Sequence, residues 1–309
     1  MKKSKKVIVI LLSIMIVLTS LVAYASSALR LGVLNPSFYA NFMPALNAYD
    51  SMYDSFSDYL LEPIQAMEVP EEIQGVPEDL VKIAIPKKEF NKIIGKTIGG
   101  SVGWLLYNHD EVEIPVKYLS DNLYTTIAND ERVINSETNI KLTMDAIVAQ
   151  RLGIFTPSEQ YQHTLRGYIY YFLTAGSQDR MDYFDYWTDV FFYYYGVRLT
   201  WITIGSFALL ILLFAVLVLI TKDKRETPIR IAKILCIFYG AINVLAALGL
   251  FFIPWIAKLF SSLSSYVKYL EYARSLTNSF GILVMFYALL LIIAATILTI
   301  VERKIVSKA

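Results

Sequence analysis

Histidine is the side chain whose ordinary pKa places it for proton transfer near neutrality, and this chain of 309 residues has two, His109 and His163. The first opens the stretch His109-Asp110-Glu111-Val112-Glu113, where the imidazole could act as a base with Asp110 and Glu113 beside it. With His163 brought to the same place, the set would suit two-histidine acyl transfer at a membrane surface. Histidines in an acidic turn or on a helix surface ordinarily perform no chemistry, and no GxSxG, HExxH or CxxC pattern accompanies these two. Asp50, Asp54 and Asp58 recur every four residues, but calcium sites take their ligands from loops, and like charges one turn apart read as a solvated helix face. Gly95-Lys96-Thr97-Ile98-Gly99-Gly100 lacks the GxxxxGK[ST] order of a phosphate-binding loop, and no strand precedes it. Cys236 is the single cysteine and lies in an apolar run, which removes an intrachain disulfide and argues against a thiolate nucleophile or zinc ligand. Neither a metal site nor a cofactor is expected.

The elements that must position these residues are set by hydropathy. With 56% hydrophobic and 18% charged residues, the composition is that of a membrane protein with a soluble portion. A helix of roughly 20 apolar residues crosses a hydrocarbon core of about 30 Å, and four segments qualify: 7–29, 199–220, 234–257 and 279–301. None contains Asp, Glu, Lys, Arg or His in its apolar core, which disfavours ion-coupled transport. Asn243 is the one strongly polar side chain well inside a span and is expected to join helices by a hydrogen bond.

Lys and Arg concentrate in cytoplasmic flanks. Lys2, Lys3, Lys5 and Lys6 in 1–6, five basic residues in 221–233, and Arg303, Lys304 and Lys308 in 302–309 place both termini and the middle loop inside. Residues 30–198 and the loop 258–278 then lie outside a prokaryotic cytoplasmic membrane. Ala23-Tyr24-Ala25 also fits a signal-peptide cleavage site, although the apolar run exceeds a usual 7 to 15 residue h-region and argues for a retained anchor.

Residues 30–198 hold 23 acidic against 13 basic side chains, which argues against nucleic acid as a partner and suits a solvated exterior surface. Their periodicity is mainly helical. Tyr49, Met52, Tyr53, Phe56 and Leu60 define an amphipathic helix ending near Pro63. Phe90, Ile93, Ile94, Ile98, Val102 and Leu105 form the stripe of a second, in which Gly95, Gly99, Gly100 and Gly103 imply a closely approaching neighbour. A short extended segment is expected around Val112, Ile114 and Val116, a helix after Thr156-Pro157-Ser158-Glu159, and a short amphipathic helix through Leu263, Tyr266, Val267 and Leu270. The fold class expected is an all-α membrane protein, four transmembrane helices with a mainly α-helical extracytoplasmic domain inserted between the first and second.

Leu34, Pro36, Phe38 and Tyr39, followed by Tyr49, Asp50 and Tyr53, give an L-x-P-x-F-Y then Y-D-x-x-Y pattern directly after the first span. This resembles a group of uncharacterised prokaryotic four-span membrane proteins with an external domain after the first span. The resemblance implies a helical external domain and no activity.

Before the second span, Phe191, Phe192, Tyr193, Tyr194 and Tyr195 precede Arg198 and Trp201. At about 100° per residue five consecutive rings surround a helix, so they are expected to form a membrane-interface collar. Trp201 and the nearest tyrosines then meet headgroups, Arg198 snorkels, and the domain covers Phe191, Phe192 and Tyr193. Asp182, Asp185 and Asp189 are expected as a solvated rim. The functional expectation is a non-enzymatic envelope sensor, scaffold or accessory subunit that works through its external domain. Its partners would be the lipid bilayer and an envelope protein or a second copy; the alternative is a membrane enzyme acting on lipid, lipoprotein or cell-wall precursors through His109 and His163.

Overall fold

The computed structural model describes residues 3–65, 75–107, 109, 112–135, 140–153, 164–174, 176–221, 226–259 and 267–306. Among them every regular element is a helix, with no strand and one isolated antiparallel bridge between Glu113 and Thr164. It divides into two compact units, residues 35–192 and the remainder formed by 1–34 with 193–309. Helix α1 (Lys3–Leu31) carries its hydrogen bonding past Arg30, and residues 193–198 fall in the same unit as the apolar helices.

Four helices are long and apolar enough to cross a membrane. Besides α1 they include α11 (Leu199–Ile220), α12 (Glu226–Leu259) and α13 (Val267–Val306). Helix α1 packs along α11, and α12 along α13. Ile16, Leu213, Leu217, Leu235 and Tyr239 form the core of this unit. At one end of the α12–α13 pair, Glu302 accepts from Arg230 Nε at 2.6 Å and from Lys233 Nζ at 2.5 Å, with its side chain only 12% exposed. Farther along, Gly281 lies against the Phe251 ring, where an added Cβ would stand 2.8 Å from the ring edge. Contacts so far apart along both helices fix them as an antiparallel hairpin. Residues 258–278, expected as a loop with a short helix, are helical at both described ends, because α13 begins at Val267 and runs without interruption into the apolar segment. Leu263 and Tyr266 of that expectation lie outside the described residues.

The unit 35–192 has its own core. Helices α3 (Asp50–Gln65), α4 (Val76–Ala84), α5 (Lys87–Tyr107), α6 (Val116–Asn129), α7 (Glu131–Ile134) and α8 (Ile140–Gly153) contribute to it. Tyr53, Leu60, Leu80, Phe90, Leu123, Ile127 and Val148 are among its buried side chains. Each large apolar side chain fully removed from water contributes about 1.5–3 kcal/mol, so this cluster is the main force holding the unit. Helix α3 is described to Gln65, two residues past Pro63, close to where it was expected to end. Asp130 caps α7, accepting from the Arg132 backbone N–H at 2.9 Å and its Nε at 3.0 Å, and these bonds hold its carboxyl below the usual range.

On α5 the buried side is not the whole apolar stripe. Phe90 is buried, but Ile98, Val102 and Leu105 are half-exposed, while Asn91, Gly95, Gly99, Gly103 and Leu106 face inward. The neighbour implied by the glycines is the chain just after α1, where a wide π-helical turn, Phe38–Phe42, leads into α2 (Met43–Ala45). A Cβ on Gly95 would stand 2.5 Å from Pro44 Cγ and 2.7 Å from the Tyr39 carbonyl oxygen, and one on Gly99 2.5 Å from that of Pro36. The Y-D-x-x-Y residues complete the attachment. Tyr49, fully buried, donates its hydroxyl to the Tyr39 carbonyl at 3.2 Å, Asp50 accepts from Asn91 Nδ2 at 2.6 Å, and Tyr53 meets Phe90 edge-on.

Backbone at Pro36 cannot swing aside as a side-chain end could, so Gly99→Ala should destabilise the full chain by about 1–3 kcal/mol even though alanine is the better helix former. Gly205 on α11 has nothing within 4 Å of an added Cβ, and Gly205→Ala should be neutral or stabilising. Thermal unfolding in detergent checks both; equal stability of the Gly99 variant and the parent would contradict the close approach.

Candidate functional site

Helix α5 ends at Tyr107, and the chain folds back so that the His109 backbone N–H donates to the Gly103 carbonyl at 3.3 Å. The imidazole lies over Gly103, where an added Cβ would stand 2.7 Å from its Nδ1, and beside the Tyr107 ring with centroids 5.9 Å apart. His109 is exposed, as is Glu113. Asp110 and His163 lie outside the described residues, and so does a meeting of the two histidines. What is described is the backbone between and beyond them: Glu113 bridges Thr164, and the Leu165 N–H donates to the Val112 carbonyl at 2.9 Å. That bridge is all the structure forms of the extended segment expected at 112–116, since Val116 already opens α6. The start of the helix expected after Thr156 lies outside the described residues, but Leu165, Tyr168, Ile169 and Phe172, expected in the same helix, are helical: they belong to α9 (Leu165–Tyr168), capped by Thr164, and to the π-helical turn Ile169–Leu173.

The aspartate row of α3 is tied to α5. Lys87 Nζ reaches Asp54 at 2.9 Å and Asp50 at 3.5 Å. Among the described residues no group of three His, Cys, Asp or Glu side chains is placed to hold a metal ion. Cys236 is half-buried on α12.

The five rings before α11 do not follow one α-helical spiral. Helix α10 (Gln178–Phe191) gives way to a π-helical turn, Phe192–Arg198, whose wider hydrogen-bonded loop holds an extra residue per turn. Arg198 lies over the rings of Tyr193 and Tyr194, 4.8 Å from each centroid, which supplies cation–π attraction. Tyr193, Tyr194 and Tyr195 each keep nearly half their surface exposed, and Trp201 two thirds. Phe191, which the domain was expected to cover, is 46% exposed; Phe192 is half-buried.

Phe192 instead helps line a cavity of about 320 Å³ within the unit 35–192. Trp104 and Leu105 come from α5, Arg166 from α9, and Asp185, Thr188 and Asp189 from α10. Arg166 ion-pairs with Asp185. Trp104 stacks on Phe184 with centroids 6.4 Å apart and planes inclined by 18°, and Thr188 Oγ1 donates to the Asp185 carbonyl at 2.8 Å. Asp185 therefore is not part of a solvated rim: an arginine 19 residues upstream neutralises it. Asp182 accepts from Gln178 Nε2 at 2.8 Å, while Asp189 lines the cavity. Sequence reasoning saw the carboxylates on one helical face but had no signal for Arg166 or for Trp104, which two other helices contribute.

A second polar cluster lies among the apolar helices. Tyr24 of α1 stacks on Tyr239 of α12 with centroids 4.6 Å apart. Ser20 Oγ and the Tyr239 hydroxyl share a hydrogen bond at 2.8 Å, and the Tyr24 hydroxyl donates to Asn243 Oδ1 at 2.7 Å. Asn243 is buried, and its Nδ2 has no hydrogen-bond partner among the described residues.

Comparison of the chain with protein-family models, curated proteins and solved structures finds no match. The functional reading therefore rests on geometry.

Interhelical hydrogen bonds in membranes average about 0.6 kcal/mol and reach about 1.7. Tyr24→Phe and Asn243→Leu should each destabilise the detergent-solubilised chain within that range. Because they break the same bond, the double variant should lose less than the sum of the two; strict additivity in thermal unfolding would show that the pair is not coupled.

Proposed function

We propose that this protein is a non-enzymatic sensor or accessory subunit of a prokaryotic cytoplasmic membrane, with residues 35–192 outside and both termini inside. The observation that carries the reading is a helical unit with its own core and its own polar-aromatic cavity, inserted in the chain between two apolar helices. The basic flanks at 1–6, 221–233 and 302–309 support the orientation. Apolar crossing helices without mid-span ionisable groups leave the external unit as the part that meets a partner, an envelope protein or a second copy.

A retained first helix fits this reading. Ile16 is fully buried, and Ser20 and Tyr24 bond to α12, so cleavage after Ala25 would strip the apolar unit of a core residue and both polar links. The aromatic run Phe191–Tyr195 with Arg198 and Trp201 serves as an interfacial belt where the chain enters the bilayer. One observation favours the second reading, a membrane enzyme working through His109 and His163: Glu113 and Thr164, which follow the two histidines in sequence, form a bridge.

Impermeant maleimide labelling of intact cells tests the orientation in a Cys236→Ser background. Asp58→Cys, at an exposed position of α3, should label, and Arg303→Cys should label only after permeabilisation. The reverse pattern would refute the proposed sidedness. Joint replacement of His109 and His163 by alanine should leave crosslinking from residues 35–192 in native membranes unchanged; its abolition would favour the enzyme.

A further inference from the structure

The cavity between α5, α9 and α10 has a lining that selects among ligand classes. Among the described residues its charged groups are Arg166, Asp185 and Asp189, and the first two are joined by an ion pair. Asp189, exposed and without an ion-pair partner among the described residues, leaves one net negative charge. An anion would have to take Arg166 from Asp185 and then face Asp189, so anionic ligands are disfavoured. Among the described residues a metal ion would find only Asp185 and Asp189 as carboxylate ligands, one of them engaged by arginine. A neutral apolar ligand would strip water from Asp189 without replacing it.

The apolar part of the lining is equally specific. Trp104, held by its stack on Phe184, offers an aromatic surface, and Phe192 and Leu105 complete the walls. A cation beside a tryptophan face is attracted by the ring quadrupole, and a carboxylate beside it completes the usual arrangement for recognising ammonium groups. Size sets the last limit. At about 30 Å³ per water-sized group, 320 Å³ accommodates on the order of ten non-hydrogen atoms, which is too small for a helix and fits a headgroup or a small free amine. The cavity also borders two departures from α geometry, with Arg166 shortly before the π-helical turn Ile169–Leu173 and Phe192 opening the turn Phe192–Arg198. Such turns occur frequently at functional sites.

We propose that the cavity lined by Trp104, Arg166, Asp185, Asp189 and Phe192 binds a small organic ammonium group with an adjoining apolar portion. The ammonium sits between Asp189 and the Trp104 face, and the apolar portion lies against Phe192 and Leu105. The Arg166–Asp185 pair keeps the second carboxylate occupied, so the site takes one positive charge rather than two. Two sources share this chemistry, a free amine and the ammonium headgroup of a lipid; the chain enters the apolar helix α11 at Leu199, seven residues after Phe192. The assignment rests on the reading of residues 35–192 as the part that meets a ligand.

Calorimetry on the full chain in detergent tests it with 2-phenylethylammonium as the probe, 3-phenylpropionate as its charge-reversed counterpart, and spermidine as a cation without an aromatic portion. The expected result is saturable binding of 2-phenylethylammonium, at least tenfold stronger than that of either comparison compound. Asp189→Asn should weaken binding at least tenfold, Asp182→Asn should leave it unchanged, and Trp104→Phe should weaken it severalfold. Equal affinity for the ammonium and carboxylate probes, an Asp189→Asn variant that binds like the parent, or no saturation by 2-phenylethylammonium would each overturn the proposal. The source is read in nanodiscs: a lipid headgroup in the site makes phosphatidylethanolamine compete with the probe relative to phosphatidylglycerol, in the chain with Asp189 and not in Asp189→Asn. A free amine gives equal Asp189-dependent affinity in both. Binding is measured on solubilised protein and sidedness on intact cells, so failure here leaves the proposed orientation standing, and failure there leaves the binding result standing.

Discussion

The approach of the Pro36–Pro44 backbone to the glycine face of α5 is the contact on which the rest of the helical unit depends. It requires Gly95 and Gly99 to present no side chain, and it places Tyr39 where Tyr49 can reach its carbonyl. With that seam closed, α3 is positioned to offer Asp50 to Asn91 and Tyr53 to Phe90, and the apolar core builds outward through α4, α6 and α8. At its other end, α5 carries Trp104 and Leu105 to the cavity and returns the chain over Gly103 to His109. The helix acts as a spine.

The apolar unit is held by different means. Removing leucines from water gives no net drive toward pairing helices once lipid is the solvent, so polar links and close packing count for more. The α12–α13 hairpin has both, in the Glu302 pairs with Arg230 and Lys233 and in the seating of Phe251 against Gly281. Between α1 and α12 the bonds of Ser20 and Tyr24 to Tyr239 and Asn243 perform the same task.

Local pattern and tertiary pairing were unequally legible in the sequence. Four apolar runs of spanning length are visible because bilayer thickness imposes a length that composition cannot disguise, and the helices match those runs while continuing beyond them at several ends. The glycines of α5 announced a close neighbour, but not which face would be buried. Periodicity ranks apolar side chains, whereas here backbone fills the inward space that Ile98 or Val102 would have taken. The acidic face of α10 was visible as spacing. Its division into a neutralised Asp185 and a charged Asp189 depends on Arg166, whose pairing across separate helices leaves no periodic trace. The aromatic run was legible as composition, and its π-helical turn was not, since no residue type marks that geometry as glycine marks a left-handed turn.

At Gly95 and Gly99 α5 meets its neighbour through main chain rather than side chains. Trp104 and Leu105 point elsewhere and line the cavity, so contact with the seam at Pro36 and recognition at the cavity fall to different faces of one rod. A scaffold arranged in this way can alter what its cavity recognises while keeping the same fold beneath it.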